Sequence, residues 1–305
     1  MSTTTPKKIV IILGPTASGK SDFAVLLAKK FNAEIISADS RQIYQELNIG
    51  ANKITKAEKK GIKHYLLDVV KPNQEFSLYD WQQAAFKNIE KILKKNKIPI
   101  IVGGTGLYLS SILQNYQLPA TNKELRSELN KLSLDKLITK LKKINPEIIK
   151  KIDLQNKIHV VRALEYAIAF HDDLSANQKT SQCPYDYLIL GLNPGKEKLY
   201  QKINQRVDVM LKNGLLEESQ RLLTKYLPTG DISPALSGIG YQEIIKYLNK
   251  ELSLEEAIEL IKKNTRHYAK RQMTWFRRME KQGLKINWNK TFTEAENLIK
   301  DFLKK

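Results

Sequence analysis

The segment GPTASGKS, Gly14 to Ser21, follows the apolar run KKIVIIL and precedes the amphipathic run SDFAVLLAKKF. It matches G-x-x-x-x-G-K-[ST] in full, and a strand before it with a helix after it is the setting in which backbone N–H groups hold phosphate oxygens. Such a chain is committed to a strand–loop–helix unit. In that cradle Gly14, Pro15, Thr16, Ala17, Ser18 and Gly19 supply backbone, Lys20 a point charge, and Ser21 a hydroxyl able to ligate Mg²⁺. The expected ligand carries a diphosphate.

The rest of the first half repeats the strand–helix alternation. Residues 7–13 read as a buried strand, 20–31 as a helix, EIISADS as a second strand ending at Asp39, and HYLLDVV as another. FSLYDWQQAAFKNIEKILKKNK reads as a long amphipathic helix leading into the strand IPIIV. Alternation of this kind predicts an α/β fold, a parallel sheet with helices on both faces. From Thr121 to Gln182 the pattern changes to Lys-rich and Leu/Ile-rich helical segments, broken at Asn145-Pro146 and closing in the polar run HDDLSANQKTSQ. Strand character returns at YDYLILGLN, a helix follows, and LKINW is a short candidate strand near the C-terminus. The expected organisation is a core domain of 1–120 and 183–305 interrupted by a helical insertion, 121–182.

Two more loops should open onto the same crevice, because ligands of open α/β sheets bind outside the carboxyl ends of strands. Asp39 in ADSRQIY ends the second strand, where its carboxylate can serve as a general base, help hold a metal, or cap the following turn. GGTGLY, Gly103 to Tyr108, follows a buried strand, and the Thr105 hydroxyl there could hydrogen-bond a base or Asp39. Asp68 in YLLDVV is the one acid placed like the metal-holding acid of a nucleotide-hydrolysing enzyme, which keeps a kinase or ATPase reading open.

Charge enters the argument here. The net charge is +19, and much of it is lysine spread along the whole chain. Arginine discriminates better: of nine, Arg266, Arg271, Arg277 and Arg278 fall within thirteen residues. On a helix Arg266, Lys270 and Arg277 share a stripe suited to phosphates, while Tyr268 and Trp275 fall on a neighbouring stripe and read as core positions. A single cysteine, Cys183, forbids an internal disulfide, and His64, His159, His171 and His267 lack the spacing of a zinc site. No stretch is apolar enough to span a membrane, and MSTTTPKK lacks the apolar segment of a secretion signal, so a cytoplasmic protein is expected.

GPTASGKS, ADSRQIY, GGTGLYL, VVRALEY, LSGIGYQE and NTRHYAKRQMTWFRR, in that order and spacing, resemble the tRNA dimethylallyltransferases, also called tRNA isopentenyltransferases, of bacterial type. The resemblance implies that the phosphate loop holds the pyrophosphate of dimethylallyl diphosphate. It implies transfer of the dimethylallyl group to the exocyclic amine of the adenosine 3′-adjacent to the tRNA anticodon. Asp39 would then be the base, Lys20 and Mg²⁺ on Ser21 would stabilise the leaving group, and Thr105 would position Asp39 or the adenine. The tRNA would be contacted by Asp39, Ser40, Arg41, Gln42 and Thr105 around the target base. Arg126, His159 and Arg162 of the insertion and Arg266, Lys270, Arg277 and Arg278 of the arginine-rich segment would hold the remainder. The expected partners are the anticodon stem-loop of tRNA and dimethylallyl diphosphate, with the protein acting as a monomer. An isopentenyltransferase of free adenine nucleotides and a small-molecule kinase are the alternatives. The chain departs from the family at GANKIT, where a threonine-alanine-lysine-proline run is usual, at His159, where a second basic residue is common, and at Ser237, where some members have arginine.

Overall fold

The computed structural model describes residues 7–120, 122–150, 152–170, 181–226 and 233–304. Residue 121, at the start of the expected insertion, and most of the polar run at its end, 171–180, lie outside the described residues.

Six strands form one parallel sheet in the order β3-β2-β4-β1-β5-β6. They are β1 (Lys8–Leu13), β2 (Ala33–Ala38), β3 (His64–Tyr65), β4 (Ile98–Gly103), β5 (Asp186–Gly191) and β6 (Ile286–Trp288). The central strands are apolar on both faces, as a sheet covered on both sides requires. Val10, Ile12, Ile35, Ile100, Val102 and Leu190 pack with Ala24, Leu27 and Ala28 of α1 (Lys20–Lys30) and with Ala295 and Ile299 of α11 (Phe292–Lys304). The alternate residues Ile9, Ile11, Leu13, Ile36 and Ile101 are fully buried as well, so the opposite face is covered too.

The strand expected over HYLLDVV is shorter than its apolar sequence suggests, only His64–Tyr65. Leu66 and Asp68 take the left-handed conformation, φ 61° and 55°, which ends an extended run. Asp68 is drawn instead to the Lys53 ammonium at 2.5 Å, and its side chain is half exposed. That pairing gives Asp68 a bracing role toward Lys53, which also donates to the Tyr44 carbonyl at 2.7 Å.

The helices that matter for the site come from the second half of the chain. They are α7 (Lys196–Lys212), α8 (Leu215–Tyr226), α9 (Tyr241–Leu248) and the long α10 (Leu254–Lys281). A capping box at Ser253 and Glu256 starts α10. From α8, the buried Glu218 carboxylate accepts the amides of Asn48, Ile49 and Gly50 at 3.0 to 3.1 Å and the Tyr241 hydroxyl at 2.7 Å. Charge-assisted bonds of this kind contribute about 1.5 to 3 kcal/mol each. They fix the loop after β2, onto whose Asn52 carbonyl the Gln42 side chain donates at 3.0 Å.

The chain divides into two compact units. The first comprises Met1–Phe76, Ala84–Ser110 and Pro184–Lys305 and contains the sheet. The second comprises Ser77–Gln83 and Ser111–Cys183. Its helices α4 (Lys123–Lys131), α5 (Leu134–Ile144) and α6 (Lys157–Phe170) pack around Leu129, Leu137, Leu141, Val160 and Leu164. It begins earlier than the sequence pattern suggests and takes in the start of α2 (Leu78–Leu93). The reason is Gln82, a fully buried amide that donates to the Ser111 and Tyr116 carbonyls at 2.8 and 2.9 Å.

Candidate active site

The phosphate loop joins β1 to α1 in backbone geometry that its sequence dictates. Gly19 has φ 87°, in the region glycine favours. A side chain at Gly14 would collide with the Leu192 carbonyl and the Ser18 hydroxyl. Ala17 is also left-handed, φ 63°, a strain compensated by burial against Leu199 and Ile203 of α7 and Ala269 of α10. The Ser18 hydroxyl is buried without a hydrogen-bond partner among the described residues. A buried donor left that way costs about 1 to 3 kcal/mol, so the loop favours an occupant that offers acceptor oxygens.

Two cations face this loop. Lys20 donates to the Pro15 carbonyl at 3.2 Å. Parts of the residue keep solvent contact, yet its charged end is enclosed, and burial holds its pKa at about 8 instead of the ordinary 10.5. The Asp39 charge pulls that value up and the Arg206 charge pushes it down. Arg206, on α7, donates to the Thr16 hydroxyl at 3.2 Å and lies within electrostatic reach of Asp22, Asp39 and Glu58. Sequence reasoning missed Arg206. The available sign was an arginine wedged between Ile203 and Val207, both on the buried stripe of α7.

The acceptor side is built by the ends of β2 and β4. Asp39 Oδ1 accepts the Arg41 and Gln42 amides at 2.9 and 3.4 Å, so one oxygen does cap the turn. Asp39 Oδ2 makes no hydrogen bond among the described residues. Thr105 Oγ1 accepts the Ser40 amide at 3.2 Å. The Tyr268 hydroxyl, from α10, hydrogen-bonds Thr105, and burial and the Asp39 charge push its pKa up to about 12. Tyr268 and Trp275, expected in the core, are half buried, and each meets a hydroxyl, of Thr105 and of Ser110. Trp275 Nε1 donates to Ser110 Oγ at 2.9 Å.

Gly14 to Ser21, Asp39, Ser40 and Thr105 are thus gathered at the carboxyl ends of neighbouring strands. The other sequence candidates are placed differently. Arg41 turns toward the carbonyls of Pro234 and Ala235. The Gln42 amide props the Ala51–Asn52 backbone. Arg266 donates to Asn204 of α7 at 2.8 Å, while Lys270, Arg277 and Arg278 are exposed on α10. In the second unit Arg126 makes a bidentate pair with Glu165 at 2.6 and 3.0 Å, and His159 and Arg162 are exposed on α6.

Comparison with known proteins gives a consistent set of relatives. The family model described as IPP transferase matches residues 42–279, most of the chain. The tRNA dimethylallyltransferase of Clostridioides difficile is 46% identical over 282 residues, 88% of each chain. That of Acetivibrio thermocellus is 43% identical over 304 residues, 96% of this chain and 95% of its own. Among solved structures, the full-length tRNA isopentenylpyrophosphate transferase of Bacillus halodurans superposes with a TM-score of 0.72 at 35% identity, covering 98% of this chain and 97% of that one. A eukaryotic dimethylallyltransferase acting on tRNA superposes with a TM-score of 0.77 at 31% identity, over 88% of this chain and 69% of that one.

Proposed function

The chain belongs to the IPP transferase family, and on that premise we propose that it transfers a dimethylallyl group from dimethylallyl diphosphate to the exocyclic amine of the adenosine 3′-adjacent to a tRNA anticodon. The observation that carries this reading is the phosphate loop with Lys20 and Arg206 set within electrostatic reach of the Asp39 carboxylate. An anion cradle next to an unprotected base suits a reaction that expels diphosphate while a nucleophile loses a proton.

In the reaction the adenine amine attacks the allylic carbon, the carbon–oxygen bond to diphosphate breaks, and Asp39 Oδ2 takes the amine proton. Lys20, Arg206 and the loop amides receive the developing charge on the leaving oxygen. Thr105 and Tyr268 hold the acceptor side. A base stacked in an anticodon loop cannot reach these groups, so the adenosine must be flipped out. Outer-face cations of α10, with His159 and Arg162 of the helical insertion, hold the RNA backbone, and Arg126 braces the insertion through Glu165.

A magnesium ion suits the hard oxygen of the Ser21 hydroxyl at the start of α1 together with the oxygens of a bound diphosphate. No group of three His, Cys, Asp or Glu residues that could hold a metal ion occurs among the described residues, so the substrate's diphosphate would supply most of the ligands. Mg²⁺ held by Ser21 would help neutralise the diphosphate. No helix among the described residues is long and apolar enough to cross a membrane. The proposed reaction would take place in the cytoplasm, where tRNA is found, with the protein acting as a monomer.

The test is incubation with unmodified tRNA, dimethylallyl diphosphate and Mg²⁺, followed by nucleoside mass analysis. Prenylated adenosine at the expected position is the predicted outcome. Prenylation of free AMP instead, or phosphate transfer from ATP, would replace this reading.

RNA affinity should also fall steeply with salt, by about 0.7 to 0.9 in log–log slope per neutralised phosphate. Because Arg277 and Arg278 are exposed on α10, the double substitution R277A/R278A should flatten the slope by about 1 to 2. An unchanged slope would make both residues ordinary solvated surface.

A further inference from the structure

Two loops must keep register for the proposed reaction: the phosphate loop after β1, which holds the leaving group, and the 103–106 loop after β4, which carries Thr105. One side chain joins them. Gln272 on α10 accepts the Thr16 amide on Oε1 at 2.8 Å and donates through Nε2 to the Gly104 carbonyl at 2.9 Å. It is 5% exposed, although it stands among the cations of the most basic segment. We propose that Gln272 is a positioning residue that sets the distance between the diphosphate cradle and the acceptor-side base.

The surroundings fit this role and leave little slack. The carboxamide is packed so closely on Gly104 that a side chain there would collide with it, and the Gly14 carbonyl closes the same space at 3.2 Å. One turn earlier on α10, Tyr268 reaches Thr105, and one turn later the Trp275 ring covers Gly106. Residues 268, 272 and 275 lie on one helix face, so a single rigid element grips both loops. Moving Gly104 moves Thr105, whose hydroxyl holds the Ser40 amide beside Asp39. Thr16 is held on its other side by Arg206. A glutamine suits this bridge because its amide accepts at one atom and donates at the other, matching a backbone N–H and a backbone carbonyl. A glutamate of the same size would keep the Thr16 bond and set an oxygen against the Gly104 carbonyl.

In-line displacement needs the reacting atoms about 3 to 3.5 Å apart and aligned, and a 1 Å misplacement can lower the rate about 100-fold. Gln272 touches neither reacting atom, so its loss should appear in the chemical step more than in binding. The inference rests on the proposed prenyl transfer.

The experiment compares the wild type, Q272E and Q272M. It measures single-turnover transfer with both substrates saturating, pyrophosphate affinity, affinity for an unmodified anticodon stem-loop, and the pH profile of transfer. The expected result is a rate loss of about 100-fold in both variants, with each affinity within about threefold of wild type and the profile unshifted in Q272M, whereas the carboxylate of Q272E, beside the Thr16 amide, also lowers pyrophosphate affinity. Transfer within about threefold of wild type in either variant overturns the proposal. So does a loss in Q272M matched by an equal loss of pyrophosphate affinity, which would make Gln272 part of the cradle's structure alone. If Q272M does not fold, the uncharged Q272L decides by the same criteria. A wild-type protein that prenylates no RNA overturns the reaction itself, and is distinguished from failure of the bridge by that control.

Discussion

Replacing Lys20 by alanine lowers prenyl transfer about 100- to 1,000-fold, the usual effect of removing one preorganised electrostatic donor, about 2.7 to 4 kcal/mol of transition-state stabilisation. RNA binding should be nearly unchanged, because Lys20 faces the phosphate loop and Asp39, whereas the exposed cations assigned to RNA lie on α10 and α6. The measurement is single-turnover transfer with both substrates saturating, beside RNA affinity. Collapse of RNA affinity with a normal rate would refute the assignment. The same lysine makes diphosphate binding pH-dependent in a defined direction. In the free protein its pKa is about 8, against 10.5 ordinarily, and an anion bound beside it favours the charged form and raises that value. As pH rises through 8 the free protein loses the charge that the ligand needs. Affinity should then fall by up to about tenfold per pH unit until the pKa of the bound state is reached. Pyrophosphate and Mg²⁺ titrate on their own, so the relevant quantity is the wild-type curve minus that of K20A. A difference flat from pH 7 to about 9.5 would contradict the low pKa in the free protein.

What the sequence revealed and what it hid divide along a physical line. The phosphate loop, Asp39 and Thr105 were legible because each depends on local order: a strand end, a glycine turn and a helix start within a few residues. Arg206 and Gln272 were not, since their roles depend on contacts with Thr16 across 190 and 256 residues of chain. The apolar neighbours of the arginine in KINQRVDV hint at burial, but they do not say that it meets a phosphate loop. Only a polar residue on the apolar stripe of α10 hinted at Gln272, which lies between the buried Ala269 and Phe276. The fold class was legible from alternating strands and helices, but β3 was overread because apolar content alone cannot show that Leu66 and Asp68 turn left-handed. Arginine clustering was likewise an incomplete guide. Clustered Arg266 is tied to Asn204, and unclustered Arg206 faces the phosphate loop.

The sharpest expected result concerns Asp39, which separates a base from a metal holder. Asp39→Asn keeps the size of the side chain, and its oxygen can still accept the Arg41 and Gln42 amides, so the turn should survive. What it loses is the ability to take a proton, and a positioned base is worth about 100- to 10,000-fold in rate. One consequence must be controlled. Asp39 supports the charged form of Lys20, so the substitution also lowers the lysine's pKa from about 8, and a rate taken near neutral pH would mix the two effects. Comparison at a pH about two units below that value keeps Lys20 charged in both proteins. There D39N should bind pyrophosphate and RNA nearly as the wild type does, yet transfer slowly, with the deficit unchanged across a Mg²⁺ series. If Asp39 instead holds the metal, diphosphate affinity and metal dependence should weaken together, and raising Mg²⁺ should restore much of the rate. Rescue by metal therefore defeats the base assignment, while a slow rate insensitive to metal supports it.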